Sequence, residues 1–386
     1  MVAELESRLL LLAEVMVRVG VNLQPGQPLL ITEPYELQGV HPEAAPLVEA
    51  IRATTPNEVT VIESDPRRLR AFLEFNDPHG FERLVIAHVQ RLEQHLSRGG
   101  AFLFLMGSQP RLMSGLPAER LNKFARIKWR HLGPLIQRLI RGASQWTLAP
   151  APSSEWAEAA YGTLPAAERL PGLWREVFAC MRVDAEDPVT AWRTHLAALA
   201  RRRDALQAAR YRRIVYTGPG TDLRLDLPRF HAWCTAQLTT KAGVPYVVNL
   251  PTEEVFTAPH QHSATGTVRV ARPIAHGGSV IDGIELEFLR GRVVAAHAAT
   301  GQDLLEQLLG TDAGARRIGE VAIVPGANHI TRAGRVFHHT LLDENACSHI
   351  ALGEAYRFCS RALLPRTLNT SLIHIDLPLD ATVELI

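Results

Sequence analysis

Ala101-Phe102-Leu103-Phe104-Leu105 is an unbroken apolar run. Five such residues without polar alternation fit a strand covered on both faces. Working outward, Leu29-Leu30-Ile31-Thr32 and Val59-Thr60-Val61-Ile62 are two further strand-like runs. Helical spacing lies between and around them. Leu5, Leu9, Leu12, Val15, Met16 and Val19 share one face over residues 5–20, and residues 42–52 and 82–97 also read as helices. Pro25-Gly26-Gln27-Pro28 turns the chain into the first strand. Strands alternating with helices imply a mostly parallel sheet covered on both sides, so the first half is α/β. The Pro-rich stretch from Trp146 to Trp156 reads as an ordered loop, and helices then dominate to about residue 209, with Pro188 in the first turn of one.

From Tyr211 the pattern changes to short strands. Arg213-Ile214-Val215-Tyr216 leads into the turn Gly218-Pro219-Gly220, after which Leu223 and Leu225 alternate with charged residues. Glu285-Leu286-Glu287-Phe288 and Val293-Val294-Ala295-Ala296 flank Arg290-Gly291 as a hairpin. The expectation is therefore an α/β N-terminal domain over 1–209 and an α+β, antiparallel-rich C-terminal domain over 210–386. A chain of 386 residues suits two domains.

Composition narrows the function classes. Apolar residues make up 46% and charged residues 21%, as in soluble globular proteins. A formal net charge of +1 gives no basic field for nucleic acid or an acidic membrane. No apolar run approaches ~18 residues, so no membrane span is expected. Glu4, Glu6 and Glu14 interrupt the N-terminal apolar stretch, which reads as an amphipathic helix rather than an export signal. Cys180, Cys234, Cys347 and Cys359 are scattered and fit free thiols in a reducing cytoplasm. The chain lacks a His-Glu-x-x-His helix, a Gly-x-Ser-x-Gly elbow and a Gly-x-Gly-x-x-Gly after Ile31 or Ile62. Gly218-Pro219-Gly220 has no Lys-Ser/Thr of a phosphate loop.

The residues able to hold divalent cations crowd into the last third: Glu253, Glu254, Glu320, His349, Tyr356, His374 and Asp376. His374-Ile375-Asp376 is the sharpest local signal, because a strand points the His and the Asp to one side with Ile375 opposite. Polar groups on an otherwise apolar strand need partners. The other positions, read singly, have bland alternatives. Glu253 and Glu254 follow the apolar run Val244 to Val248 and fit a charged loop; Glu320 opens Val321-Ala322-Ile323-Val324 and fits a solvated strand end. His349 and Tyr356 are seven apart, two turns of a helix, but Gly353 between them allows a bent or extended path. Tyr356 also fits a core tyrosine. His260-Gln261-His262 and His338-His339 sit in polar sequence and read as surface or rim residues.

In order and spacing, NLPTEEVFTAPH (249–260), GARRIGEVAIVP (314–325), LLDENACSHIALGEAY (341–356) and NTSLIHID (369–376) resemble the aminopeptidase T family of metal-dependent aminopeptidases. WTLAPAPSSEWA (146–157), RVDAEDPVTAW (182–192), GPGTDLRLDLP (218–228) and VGVNLQPGQPLLI (19–31) carry the resemblance through nearly the whole chain. It implies metal ligands at Glu254, Glu320, His349, Tyr356, His374 and Asp376, with Glu253 as catalytic base; the roles of the two adjacent glutamates can be exchanged. It further implies two divalent metal ions (Zn, Co or Mn), peptide substrates with a free N-terminus, and a homodimer. The sequence departs from the family pattern at Gln261-His262-Ser263, at His338-His339 and at Leu377-Pro378-Leu379-Asp380. The expected reaction is removal of N-terminal residues by a metal-activated water. The competing expectations are an impaired family member that binds metal or peptide, and another metal-dependent amidase. Arg316 and Arg317 are candidate anchors for a peptide carboxylate, read otherwise as surface charges.

Overall fold

The computed structural model describes residues 2–33, 40–63, 66–107, 109, 111–276, 278–364 and 366–386. The chain divides into two compact units, Met1–Leu196 with Ala236–Pro251, and Ala197–Thr235 with Thr252–Ile386. This division differs from the expected single boundary after residue 209. The helix Pro188–Ala209 runs through the junction without a break. The segment 236–251 returns to the first unit because the strand Trp146–Pro150 has an open edge. Leu148 N–H donates to the Val248 carbonyl at 2.8 Å, and Leu250 N–H donates to the Leu148 carbonyl at 2.9 Å.

The first unit is built on a four-stranded parallel sheet in the order Val59–Val61, Leu29–Thr32, Ala101–Met106, Trp146–Pro150. Ala101 to Leu105 are all buried, which is what their lack of polar alternation requires. Residues 146–150, expected as a loop, form the fourth strand. Their aromatic, β-branched and aliphatic start favours extension. Proline enters only at the strand's last residue, and Ala151 N–H makes the next bond to the Met106 carbonyl at 2.9 Å. Ser153 then caps the helix Ser154–Tyr161 through its hydroxyl. The N-terminal helix is α-helical over Val2–Val15 and π-helical over Met16–Gly20. Asp187 caps the helix that starts at Pro188, accepting from Thr190 N–H at 3.1 Å.

The helix Pro78–Ser97 buries His88, whose Nε2 has no hydrogen-bond partner. Burial, aided by the Arg91 charge, lowers its pKa to about 4. The unfolded chain therefore binds a proton on His88 between about pH 6.5 and 4 while the folded chain does not. The stabilisation is complete above the unfolded pKa and is lost as pH falls towards the folded one, about 3 kcal/mol in all. His88→Phe is expected to flatten that part of the acid limb in urea melts taken between pH 4 and 7. An unchanged limb would assign the acid sensitivity elsewhere.

The second unit holds a six-stranded antiparallel sheet and a four-stranded antiparallel sheet. The six strands run in the order Arg292–His297, Glu285–Leu289, Thr265–Arg269, Thr221–Asp226, Arg213–Gly218, Thr382–Leu385. Their buried alternate residues, such as Tyr216, Leu223, Leu286 and Phe288, share one core with Val321, Ile323, Ile350, Leu352, Ile375 and Leu377 of the smaller sheet. The expected hairpin is present, turned by Arg290 and Gly291, both at positive φ. Among the described residues, no helix is long and apolar enough to cross a membrane.

Candidate metal centre

The smaller sheet orders its strands His374–Pro378, His349–Gly353, Ile318–Ile323, Val255–Thr257. Alternation gives it two unlike faces. Val255, Val321, Ile323, Ile350, Leu352, Ile375 and Leu377 lie in the core. The other register carries Glu320, His349, His374 and Asp376, and Glu254 immediately precedes the edge strand. Pairing places Asp376 opposite Ala351 and Ala351 opposite Glu320, while Ala322 stands between His349 and Phe256. With strands about 4.8 Å apart, the small alanines leave a trough between the flanking acidic and imidazole side chains.

Glu254, Glu320 and His349 each offer one donor atom within 4.8 Å of the others, and Glu320, His374 and Asp376 do the same. The two triads share Glu320. His349 Nε2 lies 3.2 Å from Glu254 Oε2 and 3.8 Å from both Glu320 Oε1 and Asp376 Oδ1. His374 Nε2 lies 3.4 Å from Asp376 Oδ1. His374 Nδ1 is 2.9 Å from the Glu354 carbonyl, a contact that makes Nδ1 the donor and turns Nε2 towards the centre, where it can ligate a cation once its own proton is displaced.

This strand end requires glycine at 353. Its φ is +102°, and a Cβ there would sit 2.0 Å from the Ile373 carbonyl oxygen. Gly353 pairs with His374, and its own carbonyl accepts from Asn369 Nδ2 at 2.6 Å. His349 and Tyr356 therefore follow the bent, extended path rather than two helical turns. Glu320, expected at a strand opening, lies inside its strand.

Tyr356, a phenol and so not one of the carboxylates and imidazoles that make up the two triads, is half-buried, with its ring centroid 5.1 Å from that of His374. Glu253 is buried but also outside the triads; its backbone N–H donates to Asn345 Oδ1 at 2.7 Å. Sequence reading passed over Glu344, which is buried in the short 3-10 turn Glu344–Ala346 and is hydrogen-bonded with Asp376. Five residues before His349 in an acidic loop, it carried no periodicity to mark it. His339, expected at a surface or rim, is buried, with its N–H donating to Asp343 Oδ2 at 3.0 Å; a second Asp343 oxygen takes the Phe337 N–H. His262 is exposed and His260 half-buried.

The electrostatics are those of crowded, dehydrated acids. Burial drives Glu254 up to about 8, with Glu320 and Asp376 adding to the shift against the opposing His349. Burial, then the Asp376, Glu254 and Glu320 charges, pushes Glu344 well above the carboxylate range. Burial opposes charge on the imidazoles, yet the surrounding carboxylates carry His349 up to about 9 and His374 up to about 10. Burial likewise opposes ionised Asp376, but His374 brings it down to about 2. Glu254 Oε2 is buried, and its polar contact is the 3.2 Å approach to His349 Nε2, which does not have hydrogen-bond geometry. A buried set of carboxylate oxygens and imidazole nitrogens, with the Glu254 oxygen lacking a well-formed hydrogen bond, fits divalent cations, whose charge would offset what the protein alone cannot.

The thermophilic metalloprotease (M29) family profile matches residues 5–384. The chain belongs to that family. M29 peptidases hydrolyse peptide bonds, the enzyme class expected from the sequence. The chain is 38% identical to aminopeptidase T of Thermus thermophilus over 371 residues, 95% of this chain and 90% of the relative. It is 35% identical to aminopeptidase 2 of Geobacillus stearothermophilus, covering 94% and 89%. The solved structure of wild-type AmpT from Thermus thermophilus superposes with a TM-score of 0.87 at 34% identity, over 98% of this chain and 97% of that one.

Proposed function

We propose that this M29 peptidase is an aminopeptidase in which Glu254, Glu320, His349, His374 and Asp376 hold a pair of divalent cations. The observation that carries the reading is the pair of donor triads joined at Glu320. The relatives named aminopeptidases support cleavage at a free N-terminus. Bound divalent ions would supply an acidified water and polarisation of the scissile carbonyl. Oxygen and nitrogen donors without thiolate suit Zn, Co or Mn. Glu354 orients His374 through its backbone carbonyl. Tyr356, beside the His374 ring, is the sixth ligand of this reading, and Glu344 closes the margin of the site through Asp376.

Glu254 is the ligand of the adjacent pair, because its carboxylate lies in a triad and that of Glu253 does not. Glu253 is then the proton carrier, taking a proton from water and passing it to the leaving amine. Its backbone is anchored by Asn345, which limits the wandering of the side chain. The same reading keeps the homodimer implied by the family resemblance and a reducing cytoplasm, which suits four free cysteines.

Chelation with EDTA is expected to lower hydrolysis of leucine p-nitroanilide at least about 100-fold, with recovery on adding Zn, Co or Mn. The N-acetylated substrate should stay intact under all conditions. Full activity after chelation, or ready cleavage of the blocked compound, would overturn the reading.

A further inference from the structure

Outside the ligand triads the second unit has a cleft of about 490 Å³ whose lining includes three guanidinium-bearing residues, Arg317, Arg357 and Arg366. Gln261, Leu368 and Asn369 contribute to the same lining. No carboxylate among the described residues forms an ion pair with any of the three arginines; Glu354 lies near enough to feel the Arg357 charge but makes no ion pair with it. Arg317 donates from one nitrogen to the Gln261 and Gly291 carbonyls and meets His262 Nδ1. Burial, then the charge of Arg292, lowers its pKa.

The walls are tied together. Gln261 Nε2 donates to the Arg366 carbonyl at 2.8 Å, and Gln261 N–H donates to the Thr367 carbonyl at 2.9 Å. Buried Asn369 links the Gly314 and Gly353 carbonyls. Three guanidinium groups around one cleft, none of them in an ion pair with a described residue, leave room for a ligand anion to complete the set. Planar guanidinium forks match carboxylates.

The cleft stands beside the proposed centre. Arg357 follows Tyr356 directly, and Asn369 hydrogen-bonds to Gly353, which pairs with His374. Arg317 precedes Glu320 by three residues, with a register shift between Ile318 and Glu320, so the two backbones are at most about 10 Å apart. An extended tripeptide covers a similar distance.

We propose that this cleft binds the C-terminal carboxylate of short peptides while their N-terminal residue lies at the metal centre. The assignment rests on the aminopeptidase reading. It makes the protein selective for di- and tripeptides with a free acid terminus.

The test uses the metal-loaded full chain and two matched substrates, Leu-Gly-Gly and its C-terminal amide. The free acid is expected to have kcat/KM about tenfold higher, with most of the difference in KM. In Arg357→Met and, separately, Arg366→Met, the acid-to-amide ratio should fall towards one. Arg317 is left intact because it holds backbone carbonyls. Equal cleavage of acid and amide by the wild type overturns the cleft assignment while leaving the aminopeptidase reading standing. So does an equal loss on both substrates in both variants. Failure to cleave either peptide overturns the aminopeptidase reading itself. If acid and amide are cleaved alike but inorganic phosphate raises the wild-type melting temperature and not that of the variants, the cleft is a free-anion site and the proposal falls.

Discussion

Glu320→Gln is expected to reduce kcat/KM by at least about a thousandfold and to lower the bound metal content, because both donor triads use this one carboxylate. The amide keeps the shape of the side chain, so packing against the buried sheet is preserved. What it removes is a negative charge within 3.8 Å of the His349 ring and the second oxygen donor that a shared ligand needs. Other substitutions in the cluster touch one triad; this one touches both. The informative comparison is Glu253→Gln, outside the triads, which should lose turnover with its metal retained. Elemental analysis of the purified proteins beside steady-state kinetics distinguishes the two. Wild-type turnover by Glu320→Gln with full metal occupancy would sink the proposed centre.

What could be read from sequence follows the physical range of each signal. His374-Ile375-Asp376 was legible because strand periodicity alone puts the His and Asp on one face, and Ile375 does pack into the core. The apolar run at 101–105 declared its own burial. Trp146–Pro150 hid its strand because Pro150 and Pro152 suggested a loop; only its position beside Ala101–Met106 shows that the one strand proline falls at the end. Glu344 was illegible for a different reason. Its burial is set by tertiary packing around a short 3-10 turn, which has no periodicity to read. The boundary at 209 missed the return of 236–251, since an open sheet edge recruits distant chain by backbone hydrogen bonds that leave no side-chain pattern. The placement of Glu320 turned on Gly319, where a Cβ would come within 2.3 Å of the Gly353 carbonyl; close backbone approach, invisible in the sequence, lets the strand start before the glutamate.

Gly353→Ala should be among the most damaging substitutions that touch no candidate ligand. At φ +102° an L-residue is strained before any contact is considered, and the added methyl would have to move the Ile373 backbone, not a flexible side-chain tip. The expected cost is about 4 kcal/mol or more, at the high end for single substitutions. The damage would be directional. Ile373 leads directly into the strand of His374 and Asp376, and the Gly353 carbonyl is one of two that Asn369 ties together. Relieving the clash displaces the His374 side of the trough relative to His349. The variant should therefore lose metal affinity in isothermal titration as well as denaturant midpoint, whereas an alanine at Gly99, with positive φ but open space around it, should show the backbone cost without the metal effect. Unaltered metal binding in a folded Gly353→Ala protein would mean that the trough is held by something other than this strand crossing.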